Sequence, residues 1–345
     1  MDKLIMHECM EYLSKIDLQT LRNKRVLITG ANGLIGTYII YLLHVANLHF
    51  SLNIDIIAVS KHEPRKILKP LFQSRYDFRS VDLTRSNISE VCPEKVDYII
   101  HAAGYATPAL FMSNPLECIK LNTSVTEKML VKAKDNKASL LFLSSSEIYG
   151  EPKVVPTPED YHGCCSSVGP RSAYSESKRL GETLCYCFRN NEAVRALVTR
   201  ISITYGPGTD INDNRVLSNF IKMALKDRVI QMRDQGQHVR TFCYILDCII
   251  MLLNVLLFGT DFVYNVGGVS TVSIRELAEK ICYITKSNLI YPELKDTKSD
   301  NHSGSSIVKL DISKVCNEFK FKDFINMEDG LVRTIKWNED NWVKG

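Results

Sequence analysis

The chain has no long apolar run. Its richest stretch, Cys248–Phe258, is about half of the ~20 residues that a bilayer-spanning helix needs, so no membrane association is expected. It has no excess of one charge either. Its 43 basic and 39 acidic side chains leave a net +4, without the concentrated basic stripe of a nucleic-acid binder. No CxxC pair and no Cys/His cluster at zinc spacing occurs, so no metal is expected. There is no internal repeat or low-complexity stretch, and the composition excludes disordered, collagen-like and coiled-coil chains. The first 24 residues carry acids and lysines through any apolar region, which excludes a signal peptide and predicts a cytoplasmic protein. Eleven cysteines, an odd and scattered set, read as free thiols in a reducing compartment, none at a position that the chemistry below uses.

What is present is a chain of 345 residues, 45% apolar, enough for one large α/β unit with an elaboration. Met6, Cys9, Met10, Leu13 and Ile16 recur at helical spacing in a short lead over residues 1–24. From Arg25 strands and helices alternate. Strands are expected at Arg25–Thr29, Asp55–Val59, Phe78–Val81, Asp97–His101, Ser139–Ser144 and Val194–Ile201. Helices are expected at Leu34–Asn47, Pro115–Asp135 and Ser172–Asn190. This rhythm predicts an α/β fold: a doubly wound parallel Rossmann sheet with a smaller C-terminal α/β substrate lobe. The expected boundaries are 25–204 for the dinucleotide-binding domain, with 241–260 returning to it, and 205–240 plus 261–345 for the substrate lobe.

The first strand runs into Gly30-Ala31-Asn32-Gly33-Leu34-Ile35-Gly36, which opens a helix. Glycines there allow a tight turn and close approach of a pyrophosphate, and the helix start offers N–H groups and a positive dipole end. A ribose 2′-hydroxyl is held by an acid at the carboxyl end of the second strand. Asp55 lies at the wrong end, and the right end reads Ser60-Lys61-His62 with Arg65 nearby. A missing acid with added base favours a 2′-phosphate, so NADP(H) is expected over NAD(H). Asp82 and Leu83, after the third strand, are placed to meet the adenine.

Hydride chemistry at a sugar carbon needs a group that takes or gives the hydroxyl proton. A tyrosine is a weak base at pH 7, and a lysine one helical turn away stabilises its phenolate. Three YxxxK pairs occur: Tyr149/Lys153, Tyr174/Lys178 and Tyr291/Lys295. The first and third contain glycine or proline, and only Tyr174/Lys178 falls inside a long amphipathic helix. The fifth strand ends in Ser144-Ser145-Ser146-Glu147, and Ser145, 29 residues before Tyr174, is placed to hydrogen-bond the reacting oxygen.

With GANGLIG at Gly30, HAAG at His101, SSSEIYG at Ser144, YSESK at Tyr174, TYGPG at Thr204 and YNVGG at Tyr264, the chain resembles the nucleotide-sugar branch of the extended short-chain dehydrogenases/reductases over about residues 25–325. The resemblance implies Ser145, Tyr174 and Lys178 as catalytic residues, with Glu147 beside them, and places the cofactor along Ala102-Ala103-Gly104 and Asn122. It implies a nucleotide-sugar substrate and a homodimer. TPALFMSNP, Ser146-Glu147, GPRSAYSESKR, RVLSNF and VRTFCYILD look closest to UDP-glucuronate decarboxylases, which would put Arg215, Asn219 and Arg240 on the substrate, the arginines on its diphosphate.

Three positions depart from the related patterns. Ser146 replaces the aspartate of 4,6-dehydratases. Ile203 replaces the asparagine of decarboxylases. Residues 305–310 offer Lys309 but no arginine. What remains suffices for a 4-ketoreductase acting on a nucleoside-diphosphate 4-keto-6-deoxyhexose, as in surface-polysaccharide synthesis. That is the expected activity, with UDP-glucuronate decarboxylase, 4-epimerase and 4,6-dehydratase as alternatives.

Overall fold

The computed structural model describes residues 1–210, 212–293 and 307–343. Its first strands in chain order are β1 (Arg25–Thr29), β2 (Asp55–Ser60), β3 (Asp77–Ser80), β4 (Tyr98–His101), β5 (Ser139–Ser145), β6 (Ala196–Ile201) and β7 (Ile203–Tyr205). They are followed by β8 (Val229–Gln231), β9 (Val239–Tyr244), β10 (Val263–Val266), β11 (Ser270–Ser273), β12 (Asn288–Ile290) and β13 (Ile307–Val308).

Seven strands form one parallel sheet in the order β10-β6-β5-β4-β1-β2-β3. The central strands read as unbroken apolar runs because both faces are covered. Val26 and Ile28 of β1 enter one core, and Leu27 between them enters the other. The Leu34–Phe50 and Ile245–Phe258 helices cover the first face; the Ser124–Asn136 helix and Cys185 of the Ser172–Asn191 helix cover the second. The fold is Rossmann-like, as its strand pattern predicts.

Several boundaries differ from expectation. Residues 115–135 form two helices, Pro115–Asn122 and Ser124–Asn136. The backbone leaves the helical region at Thr123, whose hydroxyl bonds back to the Ile119 carbonyl at 2.7 Å. β10, expected in the small lobe, is the seventh strand of the main sheet, pairing in register with Val198–Ile201.

The N-terminal lead forms the Lys3–Tyr12 helix and packs on its own domain, with Ile5 and Cys9 fully buried. Its Glu8 carboxylate, also buried, accepts from Tyr244 at 2.6 Å, Tyr38 at 3.1 Å and Arg333 at 3.3 Å. Next to this network Asp247 accepts from the Ile325 amide at 2.9 Å. Beyond β6, β9 anchors a four-stranded sheet with β7, β11 and β13, and β8 pairs β12.

Candidate active site

The carboxyl ends of β1, β4 and β5 lie together where the strand order reverses between β1 and β4, the crevice in which open α/β sheets take their ligands. Gly30 continues β1 at φ +70°, and a Cβ there would stand 2.5 Å from the Ala102 carbonyl oxygen. A Cβ on Gly36 would stand 2.5 Å from the Gly30 oxygen. The turn therefore needs both glycines, and it passes tight against the strand end Ala102-Ala103-Gly104. Gly33 caps the following helix without a side-chain bond, so its first-turn N–H groups are left for a ligand, with Leu34 and Ile35 half-buried there. Thr29 ties the strand ends together. Its hydroxyl donates to His101 Nδ1 at 2.8 Å and accepts from the Ala103 amide at 3.2 Å, while His101 Nε2 reaches the Leu121 carbonyl at 3.2 Å. Burial lowers His101 to about 4, so the ring is neutral and serves as a strut.

The basic residues expected at a 2′-phosphate are engaged elsewhere. Lys61 pairs with Asp82 at 3.0 Å. Arg65 donates to the Gly208 carbonyl at 2.8 Å. Its backbone N–H is held by Asn32 Oδ1 at 3.1 Å, and Asn32 Nδ2 donates to the His62 and Glu63 carbonyls, clamping the loop after Ser60 onto the glycine turn. Asp82 also closes a turn on Thr84, and Leu83 is buried beside it.

Ser145 ends β5, and its hydroxyl accepts from the Glu147 amide at 3.2 Å. The Ser172–Asn191 helix brings Tyr174 to it. Burial pushes the Tyr174 hydroxyl up to about 12, the hydrogen bond with Ser145 pulls it down, the Glu147 charge raises it and Arg215 lowers it. Lys178 lies one turn further along the same helix. Its ammonium donates to the Leu143 carbonyl at 2.6 Å and lies 4.7 Å from the Phe142 ring centroid, and burial lowers it to about 8. In this state the lysine is held by β5 and the phenol stays protonated. Asn122 donates to Ser177 at 2.9 Å, while its Oδ1 is buried without a partner among the described residues. A Cβ on Gly104 would stand 3.6 Å from Lys178 Nζ and 3.7 Å from that oxygen.

Several functional neighbours were not named among the expected site residues, although Phe111 lies in TPALFMSNP and Arg171 in GPRSAYSESKR. Phe111 stacks on Tyr174, with ring centroids 4.7 Å apart and planes 12° apart. The Arg171 guanidinium lies 5.4 Å from the Phe111 centroid and pairs with Glu147 at 2.6 Å. Cys118 packs against Phe111 and Tyr174, so one cysteine does border the chemistry, contrary to the sequence reading. Glu182 was legible too, since 174, 178 and 182 share one helix face by spacing alone. It forms a buried pair with Arg200 at 2.8 Å, and Arg200 donates to Tyr149, which donates to Asn265 of β10. This network fixes the end of β5, and it occupies the Tyr149 of the discarded YxxxK pair. Lys295 of the third pair lies outside the described residues.

Of the expected substrate residues, Arg215 holds Asp213 through two nitrogens, at 2.6 and 3.0 Å. Arg240 donates to the Val239 carbonyl at 2.8 Å, and the Glu147 charge opposes the burial that lowers it, which places it toward the same rim. Asn219 is half-buried on the Val216–Lys226 helix, and among the described residues no hydrogen bond joins its side chain to the Tyr174 group. Ile203 lies in β7 opposite Phe242. Lys309 is half-buried, and residues 305 and 306 lie outside the described residues.

Residues 26–267 match the NAD dependent epimerase/dehydratase family. The chain belongs to that family. UDP-glucuronic acid decarboxylase 1 of Danio rerio is 31% identical over 91% of this chain and 72% of its own length. UDP-glucuronic acid decarboxylase 3 of Arabidopsis thaliana is 31% identical over 90% and 87%. In structure, an epimerase of Methanothermobacter thermautotrophicus superposes with a TM-score of 0.80 at 20% identity, covering 99% of this chain and 97% of its own. The dTDP-glucose 4,6-dehydratase of Streptomyces venezuelae gives 0.79 at 20%, covering 93% and 98%. The protein is thus an enzyme of the NAD-dependent nucleotide-sugar epimerase/dehydratase type. No helix among the described residues is long and apolar enough to cross a membrane.

Proposed function

We propose that this enzyme works at C4 of a UDP-hexuronate, as a UDP-glucuronate decarboxylase, with NAD(H) as its cofactor. The observation that carries the reading is the buried Tyr174 brought to Ser145 at the end of β5, at the mouth of the dinucleotide crevice, beside Glu147 and the arginines Arg171, Arg215 and Arg240. The curated relatives at 31% identity bear that activity in their names, where the sequence alone favoured a 4-ketoreductase.

The residues fit a dinucleotide. The Gly30–Gly36 turn leaves no room for a Cβ at Gly30 or Gly36, the helix first turn is uncapped, and the buried Asn122 Oδ1, without a partner among the described residues, lies beside Gly104. NAD is preferred to the expected NADP because Lys61 and Arg65 are already engaged. Related folds agree: a UDP-glucuronic acid 4-epimerase of Bacillus cereus is solved with UDP-glucuronic acid and NAD.

NAD held on the glycine turn would supply a hydride acceptor for C4 of the sugar. Ser145 holds the C4 oxygen by its hydroxyl, and Tyr174 takes the C4 hydroxyl proton and later gives it back. Lys178 places a cation one turn behind the phenol. A ketone at C4 makes the C6 carboxylate that of a β-keto acid, whose C5–C6 bond breaks with loss of CO₂; the bonding pair passes into the C4 enolate, which takes a proton from water at C5 to restore the C4 ketone.

Two observations favour a second reading, direct reduction of a 4-keto sugar. Tyr174 held as a phenol is a proton donor, and Ile203 cannot bond a substrate where decarboxylases carry asparagine. Ser146 disfavours a dehydratase. Incubation with UDP-glucuronate and NAD⁺, followed by NMR, is expected to show a UDP-pentose and CO₂. No product there, with loss of 340-nm absorbance on NADPH and dTDP-4-keto-6-deoxyglucose, would replace the first reading by the second.

We also propose a homodimer. Leu116 is 68% exposed, Tyr186 55% and Leu180 50%, on the neighbouring Pro115–Asn122 and Ser172–Asn191 helices, an apolar face that a second copy would cover.

A further inference from the structure

We infer that Arg171 determines specificity by reading the carboxylate of the sugar, exchanging its bond to Glu147 for one to the substrate. The inference rests on the UDP-hexuronate reading above.

The argument starts from position. Arg171 precedes Tyr174 by three residues at the start of the Ser172–Asn191 helix, and the Phe111 ring meets both side chains, stacked on Tyr174 and 5.4 Å from the Arg171 guanidinium. In the proposed chemistry Tyr174 faces the C4 oxygen. The diphosphate leaves a pyranose from C1, across the ring from C4. A cation beside Tyr174 therefore meets the C3 or C5 side of the sugar, and in a hexuronate the charged group there is the C6 carboxylate on C5.

The state of the three rim arginines separates them. Arg215 is satisfied through two nitrogens by Asp213, whose side chain is 8% exposed. Arg240 is turned to its own strand, donating to the Val239 carbonyl. Arg171 holds Glu147 through Nε at 3.2 Å and a terminal nitrogen at 2.6 Å, and both side chains remain close to half exposed. A wet pair of this kind is weak and exchangeable. A planar guanidinium fork suits a carboxylate, and this one lies 5.4 Å from the Phe111 centroid. Glu147 now meets both nitrogens with the single oxygen Oε2, and a uronate carboxylate can offer Arg171 one oxygen for each. A neutral hydroxymethyl group cannot repay the loss of Glu147.

The test uses equilibrium binding in a Tyr174→Phe background, which removes turnover. UDP-glucuronate and UDP-glucose are titrated calorimetrically into Tyr174→Phe and into Tyr174→Phe/Arg171→Met, with thermal melts confirming the fold. The expected result is UDP-glucuronate bound at least tenfold tighter than UDP-glucose, with the preference falling to within threefold in the Met variant. Arg171→Lys, a point charge without the fork, should lie between, and it serves as the test if the Met variant does not fold. An unchanged preference in the Arg171 variants would overturn the inference and leave the nucleotide-sugar reading standing. Equal affinity for both sugars before Arg171 is altered would do the same. Binding of neither sugar would overturn the functional reading itself, and this inference with it.

Discussion

Phe111→Ala is the perturbation that most directly probes how the site sets its acid–base chemistry. The Phe111 ring, 1% exposed, covers one face of the Tyr174 ring, itself 8% exposed. Burial is the largest cause of the rise of the Tyr174 hydroxyl from 10 to about 12. At 1.36 kcal/mol per pH unit, that is roughly 3 kcal/mol against the phenolate. Opening one of two ring faces to water should return about a third to a half of this, moving the midpoint down by about one unit and making phenolate about tenfold more abundant at any given pH. The lost packing should cost about 3 kcal/mol of stability, so melts must accompany the kinetics. The assay is kcat/KM against pH at saturating cofactor for the parent, Phe111→Ala and Phe111→Leu. Leucine keeps the face dry and should leave the profile within about 0.3 unit of the parent. Superimposable profiles for the parent and the Ala variant would refute the claim that this ring keeps the phenol protonated.

Other perturbations test the cradle, the buried acids and the helix face. Gly30→Ala forces a Cβ to 2.5 Å from the Ala102 oxygen at φ +70°; about 2 kcal/mol of strain and at least a tenfold loss of NADH affinity by fluorescence are expected. Asp247 is buried, and burial raises its carboxyl from 3.8 to about 6. A raised carboxyl favours folding at low pH, so the parent should lose roughly 3 kcal/mol relative to Asp247→Asn between pH 4 and 6. Urea midpoints that track each other across that range would contradict this. Leu180→Glu with Tyr186→Glu should yield monomers by light scattering with the fold intact; an unchanged dimer would move the interface elsewhere.

The sheet was legible because its order follows from physics that acts locally. RVLIT, DIIAV and SLLFLS are continuous apolar runs, which is how strands covered on both faces read. The glycine turn was legible because Gly30 and Gly36 each answer a specific clash. The helix break at Thr123 was not, since a threonine bonding to its own preceding turn is compatible with helix until tertiary packing decides. Ser145 and Tyr174 were found from spacing, yet the electrostatics assigned to them were not. The YxxxK spacing shows that Lys178 lies one turn from Tyr174, but the direction of its ammonium depends on the Leu143 carbonyl and the Phe142 ring, two groups on another strand. The NADP preference is left unsupported for the same reason. Lys61 and Arg65 counted as free cations until Asp82 and the Gly208 carbonyl were seen to hold them.

Cys118 shows how a residue type with no chemical part can still shape the site. It is fully buried against Phe111 and Tyr174, and burial raises its thiol, so at neutral pH it is a small apolar filler rather than a nucleophile. Cys164 and Cys187 are exposed. Brief iodoacetamide treatment at pH 7.5 should therefore label Cys164 and Cys187 and spare Cys118, as read by peptide mass spectrometry. Early labelling of Cys118 would mean that the floor beneath Phe111 opens to water on the timescale of the reaction. Phe111 could not then hold Tyr174 dry, and the pH argument made for the Phe111→Ala variant would fail with it.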